Sequence, residues 1–214
     1  MKRILCYGDS NTYGYNPENE RRYPKEIRWT GRLSHILGDN YEIIEEGLNN
    51  RTTTLEPPEE LWRSGLFYLE PCLRSHIPLD LVIIMLGSND MKICFQQTPE
   101  LIGRHIRLLI QKTREILSLK NPPEKQCKIL LISPILISKH ICNAYYANEF
   151  GGLSATNFST QLSAIYHQIA REEHCEFLSG QDCSNPSVLD GLHMDPEGHR
   201  QMAEAVARKI SVIF

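Results

Sequence analysis

Residues 80–90 read "DLVIIMLGSND". An unbroken apolar run from Leu81 to Leu86 lies between Asp80 and Gly87, and a polar block, Ser88-Asn89-Asp90, follows at once. Alternating polar and apolar residues would mark a strand with one wet face. A short continuous run marks a strand covered on both faces, as in a parallel sheet between helix layers. Two more segments share the pattern, "RILCYG" (3–8) and "KILLISP" (128–134). "YEIIEEG" (41–47) and "CEFLSG" (175–180) also read as strands, with turn residues around them.

Helical patterns separate these strands. "TPELIGRHIRLLIQKTREILSLK" (98–120) places Leu101, Ile102, His105, Leu108, Leu109, Ile116 and Leu117 along one stripe, with Thr98 as N-cap and Pro99 at the first helical position. "NFSTQLSAIYHQIAREE" (157–173) carries Phe158, Leu162, Ile165 and Ile169 at helical spacing, and residues 195–214 open with Asp195 as N-cap before Pro196. Strands alternating with helices predict one three-layer α/β/α domain over residues 1–214, with right-handed crossovers. Residues 121–125 read as a helix-to-strand connection, and 11–28, 48–78 and 135–152 as long surface loops. Those loops follow the first, second and fourth strands, so they gather at the carboxyl edge of the sheet, where open α/β sheets bind ligands.

Composition narrows the classes. The chain has 214 residues, 41% hydrophobic and 23% charged, which suits an ordinary globular protein. A net charge of −3 without a basic run gives no reason to expect nucleic acid or an acidic membrane surface as partner. Met1-Lys2-Arg3 leads straight into a strand without a signal-like apolar region, so a cytoplasmic location is expected. No apolar stretch is long enough to span a bilayer. Seven scattered cysteines without a C-x-x-C pair argue against disulfides or a thiolate zinc site.

Four polar stretches could do chemistry. "GDSN" (8–11), "EEGLNNRTT" (45–53) and "LGSNDMK" (86–92) each follow a strand, and "DGLHMDPEGH" (190–199) precedes the last helix. The first can be a capped turn, a phosphate cradle or an exposed nucleophile. Asp190 and His193, three apart, reach the same side of a turn, so the carboxylate can hold one imidazole nitrogen while the other faces out. A serine such as Ser10 would complete that arrangement. Asn89 would aim an amide at the same crevice and, with backbone N–H groups at Ser10 and near Asn50, could hold an oxyanion. His193, Asp195 and His199 can also be read as metal ligands, but Asp195 is better used as an N-cap and the histidines are not at i, i+4. Tyr13, Tyr15, Leu192 and Met194 flank these residues and are candidates for the substrate pocket.

Taken in order, Gly8-Asp9-Ser10-Asn11, Gly87-Ser88-Asn89-Asp90 and Asp190-Gly191-Leu192-His193 resemble the first, third and fifth blocks of the SGNH hydrolases, the GDSL esterases and lipases. "KRILCYGDSNTYGY", "RWTGRL" and "EEGLNNRTT" look most like the bacterial arylesterase/acyltransferase branch. The resemblance implies a flavodoxin-like five-stranded sheet of order 2-1-3-4-5. It also implies a serine esterase that hydrolyses short-chain or aryl carboxylic esters through an acyl-enzyme, with transfer to alcohols as a further outcome. Ser10, His193 and Asp190 would be catalytic, with the Ser10 N–H, Asn50 N–H and Asn89 Nδ2 as oxyanion donors. No metal or cofactor is implied, and the branch is associated with homo-oligomers. Many members carry glycine where this chain has Asn50, a residue that tolerates left-handed backbone better than most. The competing readings are a flavodoxin-like FMN-binding module, and a thioesterase or carbohydrate deacetylase on the same fold.

Overall fold

The computed structural model describes residues 1–57, 59–122 and 126–214. Its strands are β1 (Lys2–Gly8), β2 (Tyr41–Gly47), β3 (Leu81–Met85), β4 (Lys128–Ile132) and β5 (Glu176–Leu178). They pair in parallel in the order β2-β1-β3-β4-β5. The unbroken apolar runs have the expected cause. Leu5 and Tyr7 of β1 enter the core on one face, and Ile4 and Cys6 enter it on the other. In β3, Val82 and Ile84 face one way while Leu81, Ile83 and Met85 face the opposite way. Each such side chain taken fully out of water contributes about 1.5–3 kcal/mol.

The helices are α1 (Ser10–Tyr13), α2 (Trp29–Leu37), α3 (Gly65–His76), α4 (Pro99–Lys120), α5 (Ala147–Phe150), α6 (Leu153–Glu172), α7 (Gly180–Cys183) and α8 (Pro196–Ile213). Helices α3, α4 and α6 cover one face of the sheet with Leu73, Ile106 and Tyr166 among others. Helices α2 and α8 cover the second face with Trp29, Leu33 and Val206. The expected caps form: Thr98 Oγ1 accepts the Leu101 N–H at 3.3 Å, and Asp195 Oδ1 accepts the Gly198 N–H at 2.8 Å. Among the described residues, no helix is long and apolar enough to cross a membrane.

Residues 48–78 are not wholly loop, because α3 occupies their second half. Pro71 sits inside that helix, and an interior proline, which has no backbone N–H to donate, hides a helical pattern from a sequence reader. Helix α6 starts before the expected position, at Leu153. On α4 the stripe turns inward through Ile102, Ile106, Leu109 and Thr113, leaving Leu108 47% exposed. Of the connection 121–125, positions 123–125 lie outside the described residues.

Candidate active site

Each strand ends at the same edge of the sheet, and the turn after β1 sets the geometry. A side chain at Gly8 would put its Cβ 2.1 Å from Thr12 Oγ1 and 2.9 Å from the Met85 carbonyl, so only glycine allows the sharp turn. Asp9 caps α1 by accepting the Asn11 N–H at 3.0 Å. Ser10 opens this single helical turn, where the backbone N–H has no acceptor within the helix.

Ser10 Oγ lies 3.0 Å from His193 Nε2, and His193 Nδ1 lies 2.6 Å from Asp190 Oδ2. The other Asp190 oxygen accepts the backbone N–H groups of Leu192 and His193, both at 3.0 Å. A carboxylate beside Nδ1 requires the proton there, so in the neutral ring Nε2 offers its lone pair to the serine hydroxyl. Burial pushes the Asp190 carboxyl up, but the imidazole and the two backbone donors outweigh burial and hold it below the usual range. All three side chains are buried.

Two residues that sequence reasoning gave no role hold this arrangement together. Asn11 Nδ2 donates to the Leu192 carbonyl at 3.3 Å, and its Oδ1 accepts the Met194 N–H at 2.9 Å. The amide therefore fastens both sides of His193 to the Ser10 turn. Arg51, 2% exposed, donates to the Gly8 carbonyl at 3.0 Å and to the Glu46 carbonyl, with its guanidinium stacked 4.3 Å over the Tyr7 ring. It ties the ends of β1 and β2.

Asn50 lies in the turn after β2, with left-handed backbone at φ 62°. Asn89, after β3, donates one amide hydrogen to the Arg51 carbonyl at 3.0 Å, and a primary amide keeps a second. Beneath them Asp90 is fully buried and accepts the Thr53 N–H at 2.9 Å together with the Thr53 hydroxyl. Burial pushes its carboxyl up to about 6 against those hydrogen bonds, and Asp9, also buried, is pushed up too.

Ser10, Asn50, Asn89 and His193 meet at a cavity of about 60 Å³. That is several times the roughly 10–15 Å³ one water needs, and room for a small group only. Tyr15 and Leu192 line it. Tyr13 and Met194 do not line it. Gly14, at φ 85°, ends α1 and turns Tyr13 away to stack on the Arg22 guanidinium at 4.7 Å. Met194 follows His193 on the opposite side and is wholly buried in the core against α8. Asn49, Lys92, Tyr146 and Phe150 complete the wall. Asn49 and Lys92 sit inside the polar stretches after β2 and β3. No local pattern marks Tyr146 or Phe150, which lie in the long segment after β4. The Tyr15 ring lies 4.4 Å from the His193 ring, the Tyr146 ring 5.6 Å from it, and the Tyr146 hydroxyl donates to Tyr15 Oη at 3.0 Å.

Among the described residues, the group able to offer three metal-ligand atoms within 4.8 Å of one another is Glu46, Cys72 and His76, not His193, Asp195 and His199. Asp195 is engaged as a cap, and the His199 Nδ1 accepts the Trp29 N–H at 3.2 Å. Burial pushes the His199 ring down to about 3, so it stays neutral. A larger surface depression of about 690 Å³ is lined by Lys25, Arg32, Ser34, His35 and Arg200.

Comparison with known proteins adds an independent line. A carbohydrate acetylesterase from Sinorhizobium meliloti superposes with a TM-score of 0.91 at 36% identity, with 100% of both chains covered. The aryl esterase of M. smegmatis gives 0.90 at 32%, again over 100% of both chains. A curated acetylxylan esterase from Xylanibacter ruminicola is 25% identical over 97% of this chain, which spans 43% of that protein's length. The family model for GDSL-like lipases and acylhydrolases matches residues 6–201, and by that match the chain belongs to the GDSL-like lipase/acylhydrolase family.

Proposed function

We propose that the protein is a serine esterase acting on small-molecule carboxylic esters with short acyl groups. The observation that carries this reading is the hydrogen-bonded series Ser10–His193–Asp190 at the mouth of a small cavity. Ser10 Oγ attacks the ester carbonyl while His193 Nε2 takes its proton. Asp190 holds the ring and stabilises the imidazolium. The oxyanion is received by the Ser10 N–H, the Asn50 N–H and the free hydrogen of Asn89 Nδ2. The imidazolium then protonates the departing alcohol or phenol, and water or a second alcohol releases the acyl group from Ser10.

Cavity size argues for acetyl over long acyl chains. On the alcohol side, Tyr15 and Tyr146 offer an aromatic wall with phenolic hydroxyls, which suits an aryl alcohol or a sugar. The aryl esterase and carbohydrate acetylesterase similarities favour the same two classes. The test is hydrolysis of p-nitrophenyl acetate with fluorophosphonate labelling, for the unmodified chain and Ser10→Ala. Turnover and labelling in the first and neither in the second are expected. Labelling that persists in Ser10→Ala refutes the assignment, and equal rates on acetyl and octanoyl esters refute the short-acyl reading.

A further inference from the structure

Asn50 stands third in a four-residue turn closed by the Arg51 N–H donating to the Leu48 carbonyl at 3.2 Å. Its φ is 62°, whereas Asn49 is not among the residues of positive φ. That is the type II pattern, which needs left-handed backbone at the third position and favours glycine there, then asparagine. Rotating the central peptide by half a turn gives type I, in which the third residue has negative φ. The Asn50 N–H belongs to that peptide, so the flip swings it to the opposite face of the turn. For a residue with a Cβ the left-handed form carries a steric cost that glycine does not bear. An oxyanion donor at position 50 therefore needs something to hold the turn open when glycine is absent.

We propose that Lys92 is the positioning residue that holds it. Lys92 Nζ donates to Asn50 Oδ1 at 2.9 Å and pairs with Glu149 Oε2 at 2.8 Å, with its own side chain only 13% exposed. The backbone N–H of Lys92 donates to the Asn89 carbonyl at 3.2 Å, so the lysine rides on the same turn as Asn89. That turn reaches the segment 50–51 at two points, through Lys92 to the Asn50 side chain and through Asn89 Nδ2 to the Arg51 carbonyl. Gripping the side chain fixes the rotation of the Asn50 Cα, and with it the peptide that carries the N–H. Glu149 anchors the ammonium from the far side, which keeps it from following a flipped turn. The inference rests on the esterase reading for its catalytic consequence, but the backbone geometry at position 50 can be read without any activity.

Four full-length proteins test it with p-nitrophenyl acetate: unmodified, Lys92→Met, Asn50→Gly, and both changes together. Losing one charge-assisted hydrogen bond should lower kcat in Lys92→Met by about 5–30-fold, with KM within about twofold. In the Asn50→Gly background, taken as its own reference, Lys92→Met should change kcat by less than about twofold, because glycine needs no grip. An equal loss in both backgrounds means that the ammonium acts by its charge on the oxyanion and overturns the proposal. No loss in either background overturns it too. Lys92→Gln, which keeps a donor without the charge, should lie closer to the unmodified protein than Lys92→Met does. A crystal structure of Lys92→Met, or of Lys92→Gln if the first does not fold, gives the second readout. Asn50 is expected with negative φ in Lys92→Met and retained positive φ in a Lys92→Gln protein that still donates to it. Positive φ in Lys92→Met, or in a Lys92→Gln protein that no longer makes the contact, overturns the proposal. An unmodified protein that hydrolyses no ester refutes the esterase reading, and the φ readout still decides the role of Lys92.

Discussion

Cutting the amide of Asn11 should cost both stability and rate. Its two hydrogen bonds join positions 181 and 183 residues away in sequence, and His193 lies between their partners. Asn11 is 3% exposed, so in Asn11→Ala no solvent reaches the Met194 N–H and Leu192 carbonyl left behind. A buried group left without a partner costs about 1–3 kcal/mol. The Leu192 bond is long and its carbonyl keeps a second lone pair, so the N–H carries most of the loss, about 2–4 kcal/mol in all. The rate should fall further than the folded fraction does. A displacement of about 1 Å at a catalytic group costs on the order of 10²-fold, and this amide is what sets the height of the imidazole above Ser10. Asn11→Asp keeps the acceptor for Met194 but turns a carboxylate oxygen toward the Leu192 carbonyl, in a pocket that already holds Asp9. It should be no better than alanine. Urea unfolding gives the first quantity, and kcat/KM on p-nitrophenyl acetate at temperatures where each variant is fully folded gives the second. An Asn11→Ala protein within about 0.5 kcal/mol and about twofold of the unmodified chain would refute the reasoning.

Asn89→Ala removes one proposed oxyanion donor and should lower kcat by about 10²–10³ with little change in KM, measured by steady-state kinetics; a change under about twofold would rule the donor out. Asp90 gives a pH signature. Its folded carboxyl is pushed up to about 6 while the unfolded one titrates near its ordinary value of about 3.9, so the folded state holds the proton more tightly. Its contribution to stability is complete below pH ~4 and is lost as the pH rises through ~6, by about 1 kcal/mol between pH 5 and pH 7. The unfolding free energy of the unmodified chain minus that of Asp90→Asn should therefore fall by about that amount over the interval, and a rising difference would contradict the burial argument.

Much of this was readable from the chain because the informative residues are local. An unbroken apolar run needs two covered faces, and β1, β3 and β4 have them. Asp190 and His193 meet because they share one turn, and Asn89 reaches the site because it follows β3 directly. What escaped depends on chain brought from elsewhere. Tyr146 meets Tyr15 across 131 residues, a contact with no local period behind it. Arg51 reads as a surface cation until the carbonyls at the ends of β1 and β2 surround it. Tyr13 and Tyr15, two apart, diverge because a left-handed glycine stands between them. Helix α3 was hidden by its own proline.

The 183-residue span between Ser10 and His193 has a consequence during synthesis. A ribosome makes the hydroxyl-bearing turn directly after β1, and the imidazole follows only once all five strands have been translated. On the proposed mechanism, a nascent chain that ends before His193 carries an ordinary serine and no base to activate it. On the same mechanism, turnover in a folding chain reports the moment at which His193 reaches Ser10.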